Sequence, residues 1–260
     1  MRLTVVGSSG SVSGPESVAS CYLLEADDDV RTWHVLLDLG PGAVGQAMRY
    51  VDPAGVDAVL LSHLHADHVA DLAGLQVLTR YGPGAPRHPV LVYGPQGTTA
   101  RVGQLCGEPS VAEDVTTSFD IRTWSAGQPV HLGPLVIEPF TVLHPVEAFA
   151  MRITGPAEDG NGTRTLTYSG DTDTCEGLEA AASRADLLLS EAAFQEGRDT
   201  VRGIHLTGRR AGQVAAEAQV GGLVLTHIPP WTRDETVRAE ATDVYTGPID
   251  VARPGHRWEL

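Results

Sequence analysis

The pattern of apolar positions divides the chain into a strand-rich first half and a second half in which strands and helices alternate. Short apolar runs that end at Gly, Pro, Asp or His are typical of buried strands. These runs predict strands at Leu3–Val6, Cys21–Glu25, Trp33–Asp38, Ala58–Leu61, Val90–Tyr93, Asp120–Trp124, Pro129–Leu132, Leu135–Thr141, Phe149–Ile153, Thr165–Ser169, Leu187–Ser190 and Leu223–Thr226.

Helices are predicted where apolar residues recur every three or four positions. The broadest apolar face combines Val69, Leu72, Ala73, Leu75, Val77 and Leu78. Further helices are predicted over Ala43–Tyr50, Gln96–Cys106, Cys175–Arg184, Gly208–Gln219 and Asp234–Tyr245, and a Gly- and Pro-rich loop over Tyr81–Pro89. No repeat, low-complexity block or linker divides the sequence. Residues 1–260 therefore predict one α+β domain in which helices cover layered sheets.

The composition argues against several classes of partner. The formal net charge is −15 and the chain has no lysine, so its fixed positive charges are scattered arginines. A protein that binds a long nucleic acid needs a basic face, so no large nucleic acid is expected as a partner. No apolar stretch is long enough to span a membrane and no signal pattern is present, which predicts a cytoplasmic protein without membrane contact. The three scattered cysteines argue against a disulfide framework and are expected in the core.

The densest group of metal-binding side chains directly follows the strand predicted at Ala58–Leu61. His63, His65, Asp67 and His68 lie within six residues of one another. Neutral imidazole and carboxylate are the ligands that zinc and similar first-row metals prefer. A polar loop that is His-rich by chance does not account for four such groups at a strand end. The cluster therefore predicts one part of a metal site.

Three further residues repeat this arrangement of apolar strand, metal-binding side chain and Gly or Pro turn. They are His144, Asp171 and His227. Each alone is typical of a turn or of a satisfied histidine, but at a shared sheet edge they complete a set of five histidines and two aspartates. That set is sufficient for two adjacent metal ions that share one carboxylate. Zinc fits these ligands best, and manganese or iron also fits.

Two nearby features allow more than one interpretation. Asp38 ends a predicted strand and could either support a metal ligand or cap a turn. The Gly/Ser loop at residues 7–15 could bind a phosphate through backbone N–H groups. A flexible connector is favoured for this loop, because it lacks the Gly-Lys-Ser/Thr ending of phosphate-binding loops.

The complete series of ligands resembles that of the metallo-β-lactamase fold family. The resemblance implies a four-layer αβ/βα sandwich with the site at the sheet edges, and it suggests a homodimer. It implies that His63, His65 and His144 bind a first metal and that Asp67, His68 and His227 bind a second. The carboxylate of Asp171 would bridge the two metals.

A narrower resemblance distinguishes members of this family. Ser190-Glu191-Ala192 and Ile204-His205-Leu206-Thr207 resemble the ribonuclease Z-like phosphodiesterase branch, which implies that His205, supported by Glu191, assists phosphoryl chemistry. An imidazole beside a carboxylate is held as imidazolium, so it can donate a proton to a phosphoryl or leaving oxygen. In the alternative interpretation, His205 merely precedes a helix that is capped by Thr207.

The substrate is predicted from four further segments, at residues 5–15, 61–68, 144–148 and 225–231. They are similar to actinobacterial proteins described as atypical class II cyclic-nucleotide phosphodiesterases. This resemblance implies hydrolysis of a 3′,5′-cyclic nucleotide such as cAMP to the monophosphate, with Asp67 orienting the nucleophile. The alternatives are tRNA 3′-end processing, which the missing basic arm disfavours, lactone or thioester hydrolysis, and a metal-bound domain that only binds or regulates.

Three side chains are candidates for contact with that nucleotide. Trp231 could stack on the base or pack against the protein. Arg198 and Arg202 could contact phosphate, although a solvated loop is favoured for both.

Overall fold

Strands from the first half of the chain assemble into one mixed sheet. The computed structural model describes residues 1–83, 89–107 and 117–260. The first six strands are β1 (Arg2–Gly7), β2 (Cys21–Asp27), β3 (Thr32–Leu37), β4 (Ala58–Leu60), β5 (Val90–Gly94) and β6 (Phe119–Thr123). Strands β3 to β6 run parallel. The carboxyl ends of β3 and β4 therefore lie side by side at one edge of the sheet.

The second sheet is formed by the strands that follow. They are β7 (Val130–Leu132), β8 (Leu135–Thr141), β9 (Phe149–Pro156), β10 (Thr163–Tyr168), β11 (Leu187–Glu191), β12 (Leu223–Thr226) and β13 (Ile249–Val251). Their order in space is β13-β12-β11-β10-β9-β8-β7, and β10 to β13 are parallel. The last strand, β14 (Arg257–Glu259), returns to the first sheet and pairs antiparallel with β1.

Helices cover the outer face of each sheet. They are α1 (Ala43–Ala47), α2 (Ala66–Val69), α3 (Leu72–Tyr81), α4 (Thr98–Leu105), α5 (Glu176–Ala182), α6 (Gly208–Glu217) and α7 (Asp234–Thr242), with a 3₁₀ turn at Pro53–Gly55. One apolar cluster fills the space between the sheets, and two others lie beneath the helices on either side. Each buried leucine side chain in these clusters contributes about 1.5–3 kcal/mol through removal from water. The predicted four-layer αβ/βα sandwich is confirmed, with both sheets lining the central cluster.

The helix predicted after the histidine cluster is interrupted. The backbone of Leu39 bonds to the carbonyl of His68 (2.7 Å) and to the N–H of Asp71 (3.1 Å), so these groups leave the helical pattern. The segment therefore forms two separate helices, α2 and α3. Val77, predicted on the buried face, is 55 % exposed, because the apolar pattern alone did not show how α3 is rotated.

Strands β13 and β14 were not predicted from the sequence. Each has three residues, with a charged residue among them and no fully buried position. Both lie at the end of their sheet, where β13 pairs with β12 and β14 pairs with β1 from the other end of the chain. Such edge strands take their conformation from the neighbouring strand rather than from their own apolar pattern.

Other features of the chain refine the sequence-based expectations. Cys21 is buried, as expected of a core residue, whereas Cys106 and Cys175 are half-buried. Five residues (84–88) of the loop predicted at Tyr81–Pro89 lie outside the described residues. Within the described ranges, no helix has the length and apolar character needed to cross a bilayer.

Candidate metal centre and catalytic site

The carboxyl ends of parallel strands from both sheets meet at one edge of the sandwich. In the first sheet, β3 leads to Asp38 and β4 leads to the segment that begins at Ser62. In the second sheet, β10, β11 and β12 lead to Asp171, Glu191 and His227. This arrangement explains why residues from across the sequence can surround one point.

The first candidate metal-binding group consists of His63, His65 and His144. His63 Nε2 lies 3.0 Å from His65 Nδ1, which in turn lies 3.1 Å from His144 Nε2. Nitrogen ligands at about 2.0–2.1 Å around one tetrahedral zinc ion lie roughly 3.3 Å apart. The three nitrogen atoms are therefore close to the spacing that a shared ion requires.

The second candidate group consists of Asp67, His68, Asp171 and His227. The carboxylate Oδ2 of Asp171 lies 3.3 Å from His68 Nε2 and 3.2 Å from His227 Nε2. The same oxygen lies 3.7 Å from Nε2 of His63 in the first group. Asp171 thus faces both groups, which is the position expected of a bridging carboxylate.

Hydrogen bonds fix which ring nitrogen of His63 and His68 faces the site. His68 donates from Nδ1 to the Asp38 carboxylate over 2.7 Å. The Ser62 hydroxyl donates to that carboxylate, also over 2.7 Å, so it must accept from His63 Nδ1 at 3.0 Å. Both rings consequently turn a Nε2 lone pair toward the site. Such outer contacts normally orient the ligands of a metal.

The remote nitrogens of the other two strand-end histidines are held in the same way. His144 donates from Nδ1 to the carbonyl oxygen of Ile204 over 2.9 Å. His227 Nδ1 lies 2.8 Å from the hydroxyl of Ser20. In each case Nε2 is the atom that points into the site.

The buried atoms that lack partners fit a metal centre. Among the described residues, the buried side-chain atoms without a hydrogen bond include His68 Nε2, His227 Nε2 and Asp171 Oδ1. A buried polar atom without a partner is destabilising by about 1–3 kcal/mol. Three of them within one ligand group are accounted for when a cation binds there. The residues present therefore fit divalent metal ions.

The electrostatics of the site support the same conclusion. Burial lowers the pKa of His63, His65, His144 and His227, which favours the neutral imidazole that binds a metal. Burial also acts to lower the pKa of His68, but the charges of Asp171 and Asp38 raise it well above its usual range. The field of these carboxylates thus favours a positive charge in the second group.

Asp38 is a buried acceptor for four hydrogen bonds. Besides the bonds from His68 and from the Ser62 hydroxyl, it accepts the Ser62 N–H (2.7 Å) and the Tyr168 hydroxyl (2.6 Å). Its side chain is fully buried. Of the two interpretations left open by the sequence, support of a metal ligand is the one that this geometry favours.

Glu191 and His205 form a pair beside the second group. His205 Nδ1 lies 2.8 Å from Glu191 Oε1, which also accepts the N–H of Thr172. Burial acts to lower the pKa of His205, but the charge and hydrogen bond of Glu191 outweigh it and raise the pKa to about 9. This raised pKa favours the imidazolium form of His205, and its Nε2–H takes no part in the bond to Glu191. Thr207 caps α6 by accepting the N–H of Arg210, which the alternative interpretation of this segment predicts, and this cap does not involve the His205 ring.

Two residues at the site have unusual backbone conformations. Asp38 and His227 have positive φ angles of 57° and 55°, which are uncommon for residues other than glycine. Such strain is typical of functional positions where the surrounding structure fixes the chain. Here it turns both side chains toward the site at the points where their strands end.

The Gly/Ser loop after β1 packs against the strand end that carries His227. Ser9 forms a bridge with Ile228, and Gly10 donates its N–H to the carbonyl of Ile228 over 3.2 Å. A Cβ atom at Gly10 would overlap the carbonyl oxygen of His227. The loop therefore holds His227 in place, a role that neither of the two sequence-based interpretations includes.

The three candidate substrate contacts have different environments. Arg202 binds the Asp173 carboxylate (2.7 Å) and the Thr174 hydroxyl (2.9 Å). Arg198 binds Asp199 (2.6 Å) and the Thr232 hydroxyl (3.1 Å), so both guanidinium groups have protein partners. Trp231 is 62 % exposed and does not pack into the core.

The comparison with known proteins identifies the class. The model of a β-lactamase superfamily domain matches residues 33–228. The protein YhfI of Bacillus subtilis, named a probable metallo-hydrolase, is 31 % identical, with all of both chains aligned. The chain therefore belongs to the β-lactamase superfamily and is a metal-dependent hydrolase with the metallo-β-lactamase fold.

Individual relatives and a solved structure extend this result. The crystal structure of YhfI superposes with a TM-score of 0.86 at 31 % identity, over 100 % of this chain and 99 % of the other. The uncharacterized protein ML1173 of Mycobacterium leprae is 44 % identical, over 100 % of this chain and 89 % of its own. A ribonuclease Z of Haloarcula marismortui is 28 % identical, over 98 % and 95 % of the two chains. The chain is thus similar both to a probable metallo-hydrolase and to a ribonuclease Z.

Proposed function

We propose that the protein is a binuclear phosphodiesterase that hydrolyses a 3′,5′-cyclic nucleotide, cAMP first, to the nucleoside monophosphate. The observation that carries the proposal is the Glu191–His205 pair, held at 2.8 Å beside two groups of metal ligands. A hydrolase of uncharged lactones or thioesters has no phosphate charge to neutralise. A half-buried imidazolium next to a cation-binding site is, by contrast, suited to a substrate that carries negative charge.

The ligand groups are proposed to hold two divalent ions, with zinc as the first choice. His63, His65 and His144 would hold one ion, and Asp67, His68 and His227 the other, with Asp171 between them. Manganese and iron also fit the imidazole and carboxylate donors. When bound, such ions lower the pKa of a bound water. Their positive charge also stabilises a phosphoryl transition state.

The side chains of the protein orient the reacting groups. His205 donates a hydrogen bond from its Nδ1–H to Glu191. The other ring proton, on Nε2, can therefore be transferred to a phosphoryl oxygen or to the leaving oxygen. Asp67 Oδ2 lies 3.5 Å from His68 Nε2 and 3.7 Å from His227 Nε2. A carboxylate in that position can accept a hydrogen bond from the attacking nucleophile and hold it in line with the phosphorus atom.

The charge of the protein favours a small nucleotide over a large nucleic acid as the partner. The net charge of −15 would repel a long polyanion. Arg198 and Arg202 are held by carboxylates of the protein, which reduces their ability to bind a phosphate backbone. The runner-up is tRNA processing, which is favoured by the similarity to ribonuclease Z along nearly the whole chain.

Purified protein loaded with zinc or manganese would be tested in parallel on four substrates: cAMP, bis(p-nitrophenyl) phosphate, a precursor tRNA and a lactone. Hydrolysis of cAMP and the aryl diester, without cleavage of tRNA, is expected. Cleavage of tRNA alone would exclude the cyclic-nucleotide assignment. Hydrolysis of the lactone alone would overturn the phosphodiesterase proposal.

His205→Gln is expected to lower kcat for the aryl phosphodiester about 100-fold, because the proton donor to the reacting oxygen is lost. Glu191→Gln should lower kcat less, since it leaves the imidazole in place without its charged partner. Steady-state kinetics would measure both. His131→Gln on β7 and Glu179→Gln on α5, which are exposed, are the matched controls and should leave kcat unchanged. Wild-type kcat in His205→Gln would contradict the assigned role.

Trp231→Ala is expected to raise the KM for cAMP about 10-fold, because stacking of a base on an aromatic ring contributes about 1–3 kcal/mol. The side chain follows the Pro229-Pro230 turn closely after His227, and its exposure leaves the indole free to stack. An abasic ribose 3′,5′-cyclic phosphate should keep its KM. Tyr81→Ala removes another exposed aromatic side chain and serves as the control. Equal KM changes for both substrates would exclude stacking.

A further inference from the structure

The carboxylate of Asp173 is the centre of a buried ion-pair network beside the catalytic site. Its side chain is about 1 % exposed and lies two positions after Asp171. Oδ1 accepts from Arg210 Nη1 at 2.8 Å and from Arg202 Nη2 at 3.2 Å. Oδ2 accepts from Arg202 Nε at 2.7 Å and from the Gly203 N–H at 2.8 Å. The proposed hydrolysis assigns no role to these groups.

The network fixes the backbone on both sides of Ile204. On the preceding side, the Asp173 carboxylate accepts the backbone N–H of Gly203. Arg210 reaches the following carbonyl, since its Nη1 also donates to the oxygen of His205 over 3.0 Å. The Arg210 side chain is 8 % exposed, so water competes little for either contact.

The two residues fixed in this way both face the site. The Ile204 carbonyl accepts the Nδ1–H of His144 and so orients a ligand of the first group. His205 places its ring against Glu191 and lies with its centroid 5.5 Å from the His144 ring. A small displacement of this two-residue segment would therefore move the proposed proton donor, and reactions of this kind are sensitive to shifts of about 1 Å.

We propose that Asp173 and Arg210 are positioning residues that hold the Ile204–His205 segment so that the His205 ring stays against Glu191. The kinetic part of this inference rests on the proposed function, whereas the placement of the ring does not. Arg209, at the adjacent position on α6, is 40 % exposed and pairs with Asp243 instead. It therefore provides a matched control for a change of charge on the same helix.

Steady-state kinetics on bis(p-nitrophenyl) phosphate would test the inference through a double-mutant cycle. Arg210→Met and Asp173→Asn are each expected to lower kcat about 10-fold with little change in KM, as is typical when an outer contact of a catalytic group is removed. In the His205→Gln background each change should lower kcat much less than 10-fold, because the contact to His144 through the Ile204 carbonyl is then the only route by which it can act. Arg209→Met should match the wild type. Losses that add in the His205→Gln background would overturn the proposal.

Proton NMR of the histidine-labelled protein provides a readout that does not depend on activity. The His205 Nδ1–H resonance, identified by its absence in His205→Gln, should be sharp and downfield in the wild type. It should broaden or disappear in Arg210→Met but not in Arg209→Met. An unchanged resonance in Arg210→Met and Asp173→Asn would overturn the proposal.

If denaturant unfolding shows that one of these variants does not fold, Arg210→Lys takes its place. If the wild-type protein hydrolyses no phosphodiester, the proposed function is refuted but the positioning role is not, because the NMR spectrum still decides the placement of His205.

Discussion

Asp67→Ala is expected to lower kcat/KM for phosphodiester hydrolysis about 1000-fold or more. The Asp67 side chain is 15 % exposed, and its Oδ2 lies 3.5 Å from His68 Nε2 and 3.7 Å from His227 Nε2. Its removal takes one of four ligands from the second group and also the acceptor that would orient the nucleophile. Metal ions contribute several kcal/mol of transition-state stabilisation, and each 1.36 kcal/mol is about a factor of ten in rate.

Metal content and kinetics would be measured together for this variant. Metal analysis after dialysis should show loss of about one of two ions per chain, with the first group retained. Asp67→Asn should behave similarly, because a neutral amide is a poor ligand. Asp71→Asn is the matched control, since Asp71 is close in sequence but accepts a hydrogen bond from the Val44 N–H (2.8 Å). An Asp67→Ala protein with wild-type turnover would overturn the proposed mechanism.

The ligand set could be predicted from the sequence because its members follow strand ends closely, except Asp67 and His68, which lie in the short helix α2 after β4. Parallel strands β10, β11 and β12 lead to Asp171, Glu191 and His227, so the proximity of these residues follows from the pairing of the strands. An apolar run that ends in a metal-binding side chain is a local signal. The structure brings all seven predicted ligands into the two groups, and their roles as ligands stay proposals.

Contacts between distant segments could not be predicted in the same way. The hydroxyl of Ser20 meets His227 across 207 positions of the chain, and Tyr168 meets Asp38 across 130. Serine and tyrosine at strand ends carry no spacing that distinguishes them from other polar residues. Only the packing of the two sheets decides which of them contact a ligand.

The network around Asp173 illustrates the same limit. Its sequence context, between two threonines, is typical of a turn, and Arg210 lies in an amphipathic helix where an exposed position would be expected. The structure places both in the interior, with 1 % and 8 % of their side chains exposed. Burial of this pair depends on how α6 packs beside the loop after β10, which the local apolar pattern does not encode.

The fold explains why the candidate metal ligands are supported mainly by residues outside the two candidate groups. Asp38 ends β3, next to the strand that leads to the histidine cluster, so its carboxylate lies behind the rings rather than among them. The Gly/Ser loop contacts the backbone of His227 at Gly10. Buried contacts outside the two candidate groups thus hold residues from both sheets in place.

Asp38→Ala is expected to lower the free energy of unfolding by about 3–5 kcal/mol, the range for removal of one partner from a buried charged pair. The change leaves Ser62, Tyr168 and His68 with buried donors that have lost their acceptor, and each such donor is destabilising by about 1–3 kcal/mol. Loss of the bond to His68 should also lower metal affinity about 10–100-fold, because the ring is no longer held with Nε2 toward the site.

Denaturant unfolding of the metal-free protein would measure the stability term, and competition with a chelator would measure the affinity. Tyr168→Phe removes only one of the four bonds and should lower the free energy of unfolding by about 1 kcal/mol without a change in metal affinity. Asp52→Ala is the exposed control, since Asp52 only caps the 3₁₀ turn at Pro53–Gly55. If Asp38→Ala kept both the wild-type unfolding midpoint and the wild-type metal affinity, Asp38 would have only a passive role at the end of its strand.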